Sequence, residues 1–528
     1  MSLIGYGVSA EDMESSSNIL VSINQFYGIE INDFAVAVAK TALWIAEAQM
    51  YAKTFDLLDD RSSFLPLKTF NNIYEGNALR MDWNEVLPRE KCSYILGNPP
   101  FVGSSLCTKE QKNDIVSLIG KVNRANSVDY VGGWYYKAAE YIYHTAIRCA
   151  FVSTKSITQG EQVYPLWNGL ISKYGLHIDF AYKPFKWSSD ASDVAHVVVI
   201  IIGFSSAHPN KPKFIVYDAD DKRYVKNINP YLVSAPNVLL KNRNTPICDT
   251  PKMTYGNKPS DGGNLILSEK EKDELIQNDS NIEVCIRRYV GSRDYINNNE
   301  KRYCLWLNDV SPSVYRKNVT IMKRLDAVRE MRLKSTAAPT RAFADKPYAF
   351  FSTPQINSNS EYYLCVPEVS GERRKYIPIG FMKQSIIASN KLLIVPGANI
   401  YHFGVLTSCV HMIWTITTSG RLGSSFQYSA TVVYNNFPWP TPNPSQKASI
   451  EESAQTILDT RALYPDSSLA DLYDPLTMPD KLRKAHERND REVMKAYGFK
   501  HPDGSFFSED EVLSALFKMY QELVERVE

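Results

Sequence analysis

The run Tyr-Ile-Leu-Gly-Asn-Pro-Pro-Phe, residues 94–101, places an amide, two prolines and an aromatic ring directly after a short apolar strand. That combination suits one chemistry in particular. An exocyclic amino group on adenine or cytosine is a poor nucleophile, because its lone pair is delocalised into the ring. A site that methylates it must accept hydrogen bonds from the amino protons, so that the lone pair localises and points at an electrophilic methyl group. The side-chain oxygen of Asn98 and the carbonyl of Pro99 supply two such acceptors. Pro99 and Pro100 hold them at low entropic cost, and Phe101 is placed to stack on a base swung out of its duplex. An α/β sheet binds ligands at the carboxyl ends of its strands. An Asn-Pro-Pro turn is equally an ordinary strand exit, so the loop acquires meaning only from its neighbours.

Two neighbours are informative. Glu30 ends the strand of "FYGIEIND", where an acid commonly holds the ribose hydroxyls of a nucleotide-like cofactor, although a carboxylate there is as often a helix cap. Asn77 in "IYEGNAL" follows a third short strand and could touch an adenine ring or simply close a turn. The elements that must carry these residues alternate short apolar runs with longer helical patterns over residues 21–205, the signature of a doubly wound parallel sheet. The strand candidates are "QFYGIEI", "KCSYILG", "CAFVST", "HIDFAY" and "AHVVVIIIGF", the last β-branched throughout as for a strand buried on both faces. The stretch "NDFAVAVAKTALWIAEAQMYAKTF" predicts a helix, with Asn32 and Asp33 as caps.

From about 206 to 440 the pattern changes to short β-like pieces such as "EVCIRRYVGS", "RYCLWLN", "YAFFST" and "YYLCVPEVS", which predicts a second, mainly β domain. The run "NNFPWPTPNPSQ" reads as a stiff linker, because proline interrupts both helix and sheet. Residues 441–528 read as a charged helical module, clearest in "DKLRKAHERNDREVMKAYGF". The expected domains are therefore 1–205, 206–440 and 441–528 of the 528 residues.

The net charge of +1 is unevenly spread: residues 211–440 hold 31 Lys and Arg against 20 Asp and Glu, so the middle domain carries about +11. A polyanionic partner fits that excess, and so does a solvated basic surface. The eight cysteines form no CxxC pair and no cluster with histidine, which suggests neither disulfides nor a metal site. No apolar run is long enough to span a bilayer and the first residues lack an apolar signal core, so the expected compartment is the cytoplasm.

Glu30, Asn77 and Asn98-Pro99-Pro100-Phe101, followed by "DYVGGWYYKAAEYI", "FVSTKSITQGEQV" and "FAYKPFKWSSDASDVAHVVVIIIGF", resemble the ordered motifs of S-adenosylmethionine-dependent amino-DNA methyltransferases. The resemblance is to the MmeI-like group of type II restriction-modification enzymes, in which methylase and nuclease share one polypeptide. Downstream, "MTYGNKPSDGGNLILSEKE", "RRYVGSRDYI", "RRKYIPIGF", "SSFQYSATVVYNNFPWP" and "LYDPLTMPDKLRKAHERNDREVMKAYGF" are similar to that group's target-recognition and C-terminal modules. It implies a Rossmann-like class I methyltransferase sheet, incomplete at its amino-terminal end, a mainly β recognition domain and a helical module. It also implies methyl transfer from S-adenosylmethionine to N6 of adenine in a specific double-stranded DNA site, by base flipping. By the same resemblance Glu30 would hold the cofactor ribose, Asn77 the cofactor adenine, and Asp129 and Tyr130 would lie against the cofactor. Phe185 or Trp187 would pack on the flipped base opposite Phe101, while Arg287, Arg288, Arg293, Arg373, Arg374 and Lys375 would contact DNA. For each aromatic, core packing is the plainer alternative, and for each cation a solvated surface.

The group's first motif, a glycine-rich loop between the first strand and first helix, has no counterpart upstream of "FYGIEI", where Gly5 and Gly7 follow no apolar strand. No amino-terminal nuclease is legible either. In this fold the strand before that loop is central, so its loss would leave the strands ending at Glu30 and before Asn98 without their shared neighbour. Three outcomes are open: a separate polypeptide supplies the piece together with the nuclease, residues 1–20 improvise it, or the catalytic half stays incomplete and the chain serves as a non-catalytic DNA-binding subunit. The expectation is a chain that recognises DNA and binds cofactor poorly alone.

Overall fold

A computed structural model describes residues 21–58, 71–186, 198–207, 211–218, 220–298, 301–354 and 360–527. The chain forms two compact units: the first comprises the described residues up to Ile157 together with Pro165–Val225, the second Thr158–Tyr164 together with the described residues from Lys226 onward.

In the first unit the strands are β1 (Gly28–Glu30), β2 (Ile73–Glu75), β3 (Tyr94–Gly97), β4 (Arg148–Thr154), β5 (His177–Lys186), β6 (Val198–Ser205), β7 (Lys213–Asp218) and β8 (Asp221–Val225). The helices are α1 (Asp33–Leu58), α2 (Trp83–Val86), α3 (Lys109–Ile119), α4 (Gly132–Ile142) and α5 (Val163–Ser172). Helix α1 starts where the sequence places it: Asn32 accepts the Ala35 amide at 2.9 Å and Asp33 the Phe34 amide at 2.7 Å.

Strands β3 to β8 form one sheet in the order β3-β4-β6-β5-β7-β8, and β1 and β2 form a separate parallel pair. The sheet is mixed rather than parallel throughout. Strand β6 runs antiparallel to both β4 and β5; the eleven residues between β5 and β6 fall short of the crossover, a dozen or more residues, that parallel strands require. Its apolar run is buried on both faces as expected, with Val199, Ile200, Ile202 and Phe204 all inaccessible. Tyr135 of α4 anchors the core by packing on Phe151 of β4, Trp167 of α5 and Phe204 of β6, with its hydroxyl on Ser153 at 2.8 Å.

Between β1 and β3 no hydrogen-bonded strand lies among the described residues. Among the described residues β3 pairs with β4 alone, and on one of its faces Tyr94 is 70% and Leu96 80% exposed. Helix α1 packs Val36, Ala39, Leu43 and Trp44 against Ile23 and Ile73, but shows Phe34, Val38 and Ile45 to solvent.

The second unit holds three small sheets, built around Ile286–Val290 with Arg302–Leu305, Tyr362–Pro367 with Leu392–Pro396, and Gly420–Leu422 with Ser425–Gln427. The segment "YAFFST" is not a strand. Its Ala349 carbonyl is taken by the guanidinium of Arg332 at 2.8 Å, and only Ser352 forms a bridge, to Lys258. Nor is "NNFPWPTPNPSQ" a linker: Phe437 and Trp439 are buried. Asn436 donates to the carbonyls of Lys241, Thr431 and Val432 at 3.0, 3.1 and 2.9 Å and accepts from Arg243 and Tyr520. Those bonds tie the start of the run to carbonyls of other segments, so the polar side chain that enters the core with Phe437 is satisfied there. The helices Pro444–Ala462, Asp480–Tyr497 and Glu509–Val527 follow. Asp490 fastens the second of them to the rest of the unit, accepting from Tyr376 at 2.6 Å and from the Cys409 amide at 2.7 Å.

Candidate active site

Strand β3 delivers Asn98 to the carboxyl end of the sheet. Gly97 lets the strand pass close to β4 there, since a Cβ would lie 3.0 Å from the Phe151 ring, tighter than ordinary contact. Asn98 is exposed, and among the described residues its side chain has no hydrogen-bond partner; Pro99 is buried and fixes the backbone beneath it. The chain then turns, with the Val102 amide on the Pro100 carbonyl at 3.2 Å, so that the half-buried Phe101 ring is left without an aromatic neighbour among the described residues.

Two ties hold the loop from behind. The Tyr130 amide donates to the Val102 carbonyl at 2.9 Å, and Asp129, 7% exposed, accepts the Ser104 amide at 2.7 Å. The other Asp129 oxygen accepts from the Ser156 hydroxyl, which lies 2.8 Å from the hydroxyl of Thr154, the last residue of β4. Beside the loop, burial is the main force pushing the Cys107 thiol up from its ordinary pKa, with Asp129 adding to it.

Glu30 and Asn77 stand at the carboxyl ends of the paired strands β1 and β2, and the Gly76 amide bonds the Glu30 carbonyl at 2.7 Å. The Glu30 carboxylate has no partner among the described residues and stays available as an acceptor. Asn77 is largely committed to its own turn, its oxygen taking the Leu79 amide at 2.9 Å, while its amide lies 3.4 Å from the Tyr130 hydroxyl. Tyr130 in turn reaches Asp114 at 3.2 Å, and Arg80 pairs with Asp114 at 3.0 Å. Burial chiefly raises the Tyr130 pKa, so its hydroxyl keeps its proton at neutral pH. Asn77, Tyr130, Asp129 and the loop from Asn98 thus share one set of contacts.

Phe185 lies near the carboxyl end of β5, the same end as Asn98, three strand positions from β3 and therefore about 14 Å along the sheet. Trp187 lies outside the described residues. Sequence reasoning missed Ser104, Asp114 and Ser156. Of these, only Ser156 had a signal, its place just after the strand "CAFVST" at the same sheet end as Asn98. A cavity of about 880 Å³ opens at the amino ends of β3 and β4, among Arg89, Tyr94, Tyr143 and Arg148. It lies at the wrong end of the strands for chemistry at Asn98.

In the second unit Arg287, Arg288 and Arg293 stand on the strand Ile286–Val290 and the helix after it. Arg287 bonds Asp309 at 3.4 Å and lies 5.6 Å from the Trp306 ring; Arg288 lies 5.6 Å from the Tyr303 ring; Arg293 is exposed. Arg373 pairs with Asp474 at 3.7 Å, Lys375 is exposed, and Arg374 is partly buried, which lowers its pKa. All eight cysteines are free, and no cluster of metal-ligating side chains occurs among the described residues. No helix among them is long and apolar enough to cross a membrane.

Family models match the chain from end to end: the MmeI DNA-methyltransferase domain over residues 6–217, the MmeI target recognition domain over 234–441 and the MmeI C-terminal domain over 442–528. The solved structure of the Type IIL restriction-modification enzyme MmeI in complex with DNA superposes with a TM-score of 0.81 at 43% identity, over 96% of this chain and 67% of that one. The chain belongs to the MmeI family of restriction-modification DNA methyltransferases. DNA methyltransferase A of Bacillus subtilis strain 168 is 41% identical over 509 residues, 96% of this chain but only 57% of that protein, so the chain spans little more than half of this relative's length. The MmeI methyltransferase match covers the strand ends at Glu30, Asn77 and Asn98, and the MmeI recognition match covers all six basic candidates.

Proposed function

We propose that this chain methylates N6 of an adenine flipped out of a specific site in double-stranded DNA, with S-adenosylmethionine as the methyl donor. One observation carries the reading: among the described residues the Asn98 side chain and the Pro99 carbonyl have no hydrogen-bond partner at the carboxyl end of β3, on a loop braced from behind. The two oxygens accept the two amino protons, localise the nitrogen lone pair and aim it, while the Phe101 ring offers a face for the base. Placing that nitrogen in line with an electrophilic carbon is the part of the barrier that position alone lowers.

The residues present fit one end of the donor. A free carboxylate at the tip of β1 suits a ribose diol, and Asn77 with Tyr130 offers a polar wall beside it. S-Adenosylmethionine, when bound, supplies the activated methyl group. In the recognition domain, Arg287, Arg288, Arg293, Arg373, Arg374 and Lys375 are assigned to the DNA, with exposed Arg293 and Lys375 best placed for phosphate.

A second reading for the chain on its own is a sequence-specific DNA-binding subunit, which transfers a methyl group only when a separate polypeptide is added. The test is transfer of a labelled methyl group to duplex DNA by the wild-type chain and by Asn98→Ala. Loss of an acceptor aimed at the reacting group lowers kcat by about 10²–10³. Wild-type transfer that survives Asn98→Ala unchanged refutes the site. Site-specific DNA binding without transfer, with transfer restored by the added polypeptide, establishes the second reading.

A further inference from the structure

Among the described residues the carboxylate of Asp129 grips the back of the loop that carries Asn98, and the family resemblance assigns it elsewhere, to the cofactor. Its two oxygens are spent differently. One takes the Ser104 amide at 2.7 Å, six residues beyond Asn98, and the other takes the Ser156 hydroxyl. Ser156 is itself held by Thr154 at 2.8 Å, so the carboxylate ties the loop leaving β3 to the end of the adjacent strand β4. The next residue completes the grip through its backbone, Tyr130 to Val102 at 2.9 Å. The loop in between has few anchors of its own: the Val102 amide on Pro100, and the turn bonds of Leu106 and Cys107 on the Gly103 carbonyl at 2.8 and 3.2 Å.

We infer that Asp129, with Ser156, is a positioning residue for the methyl-transfer loop, fixing Asn98 and Phe101 relative to β4 through Ser104. This rests on the methyltransferase reading for its consequence, though not for its geometry. A carboxylate is acceptor-only and can serve both donors at once, whereas alanine serves neither. Asparagine can keep the Ser104 amide on its oxygen and turn its amino group to the Ser156 oxygen, whose proton then faces Thr154. Asn is therefore the rescuing variant. Misplacement of a reacting group by about 1 Å costs about 10²-fold in rate, so the clamp acts on kcat.

Amide exchange and methyl transfer are measured on the full chain for wild type, Asp129→Ala, Asp129→Asn, Ser156→Ala, and Asp129→Ala combined with Asn98→Ala. The expected result is faster exchange at Ser104 in Asp129→Ala, with other peptides unchanged and protection recovered in Asp129→Asn. With it goes a fall in kcat of roughly 30- to 100-fold at constant KM for both substrates, a smaller fall for Ser156→Ala, and no further loss when Asp129→Ala is added to Asn98→Ala. Unchanged Ser104 exchange overturns the clamp. A raised KM for S-adenosylmethionine at constant kcat overturns it in favour of a cofactor contact, and losses that multiply with Asn98→Ala overturn the route through that residue. A wild-type chain that transfers nothing defeats the methyltransferase reading for the isolated chain, while Ser104 exchange still decides the clamp.

Discussion

Arg332 gives the sharpest test of how the second unit is held together. Its side chain is fully buried, and its guanidinium donates to five carbonyls: Ser260 at 2.9 Å, Phe343 at 3.3 Å, Lys346 at 2.7 Å, Pro259 at 2.9 Å and Ala349 at 2.8 Å. Three stretches of irregular backbone therefore share one side chain. Burial lowers its pKa and Asp261 partly opposes that, but a guanidinium remains charged at neutral pH. Replacement by Met keeps most of the volume and removes every donor. Single hydrogen bonds to a charged group contribute about 1.5–3 kcal/mol, but five are not additive, since the buried charge itself carries a desolvation cost. The expected loss is about 4 kcal/mol, within the range for breaking a buried charged network. For a unit of this size that is roughly 8 °C in the midpoint of its thermal transition. Arg332→Lys keeps the charge but has three donors for five acceptors, so it recovers about half of the loss. Differential scanning calorimetry of the full chain reads both. A fall of under about 2 °C for the Met variant, or a Lys variant equal to wild type, refutes the staple.

Three other outcomes are expected. Burial holds His411 down to about 3 and His486 well below its ordinary value, so both are neutral when folded and protonate on unfolding. The stability they contribute is present above pH 6.5 and falls as the pH drops below it, by about 2 kcal/mol each from pH 7 to 5. Asp490, raised by burial, works in the opposite sense. Uptake of less than one proton on unfolding at pH 5 would contradict this. Leu96→Lys, at a position 80% exposed on β3, is expected to change the stability of the chain by under about 0.5 kcal/mol; a fall of about 2 kcal/mol or more in denaturant unfolding contradicts that exposure. Glu30→Gln is expected to weaken S-adenosylmethionine binding roughly tenfold by calorimetry, the loss of one charge-assisted hydrogen bond, and an unchanged Kd removes Glu30 from the site.

Much of the site was legible because strand ends and breaker residues announce themselves. "YILGNPPF" ends a strand where the structure ends it, and the caps Asn32 and Asp33 are local contacts that sequence spacing already contains. What escaped was non-local. Ser156 meets Asp129 across 27 positions of sequence, and Asp114 meets Arg80 across 34, so no spacing rule links them. The prolines of "NNFPWP" misled for a related reason. Their refusal of helix and sheet was read correctly, but the polar atoms that make such a run burial-competent belong to Asn436, Arg243 and Tyr520. The antiparallel β6 was a matter of connection length, present in the sequence but not used.

The internal bonding of Asn436 also fixes where this polypeptide can be recombined. A module exchanged at the proline run would be cut through a core, separating Asn436 from the Tyr520 hydroxyl that donates to it and Phe437 from the Tyr497 ring. Hybrids joined there should be insoluble whatever their parents. A cassette that carries residues 241–243, 431–440 and the helix Glu509–Val527 from one parent keeps Asn436 with the carbonyls, the Arg243 guanidinium and the Tyr520 hydroxyl that it bonds.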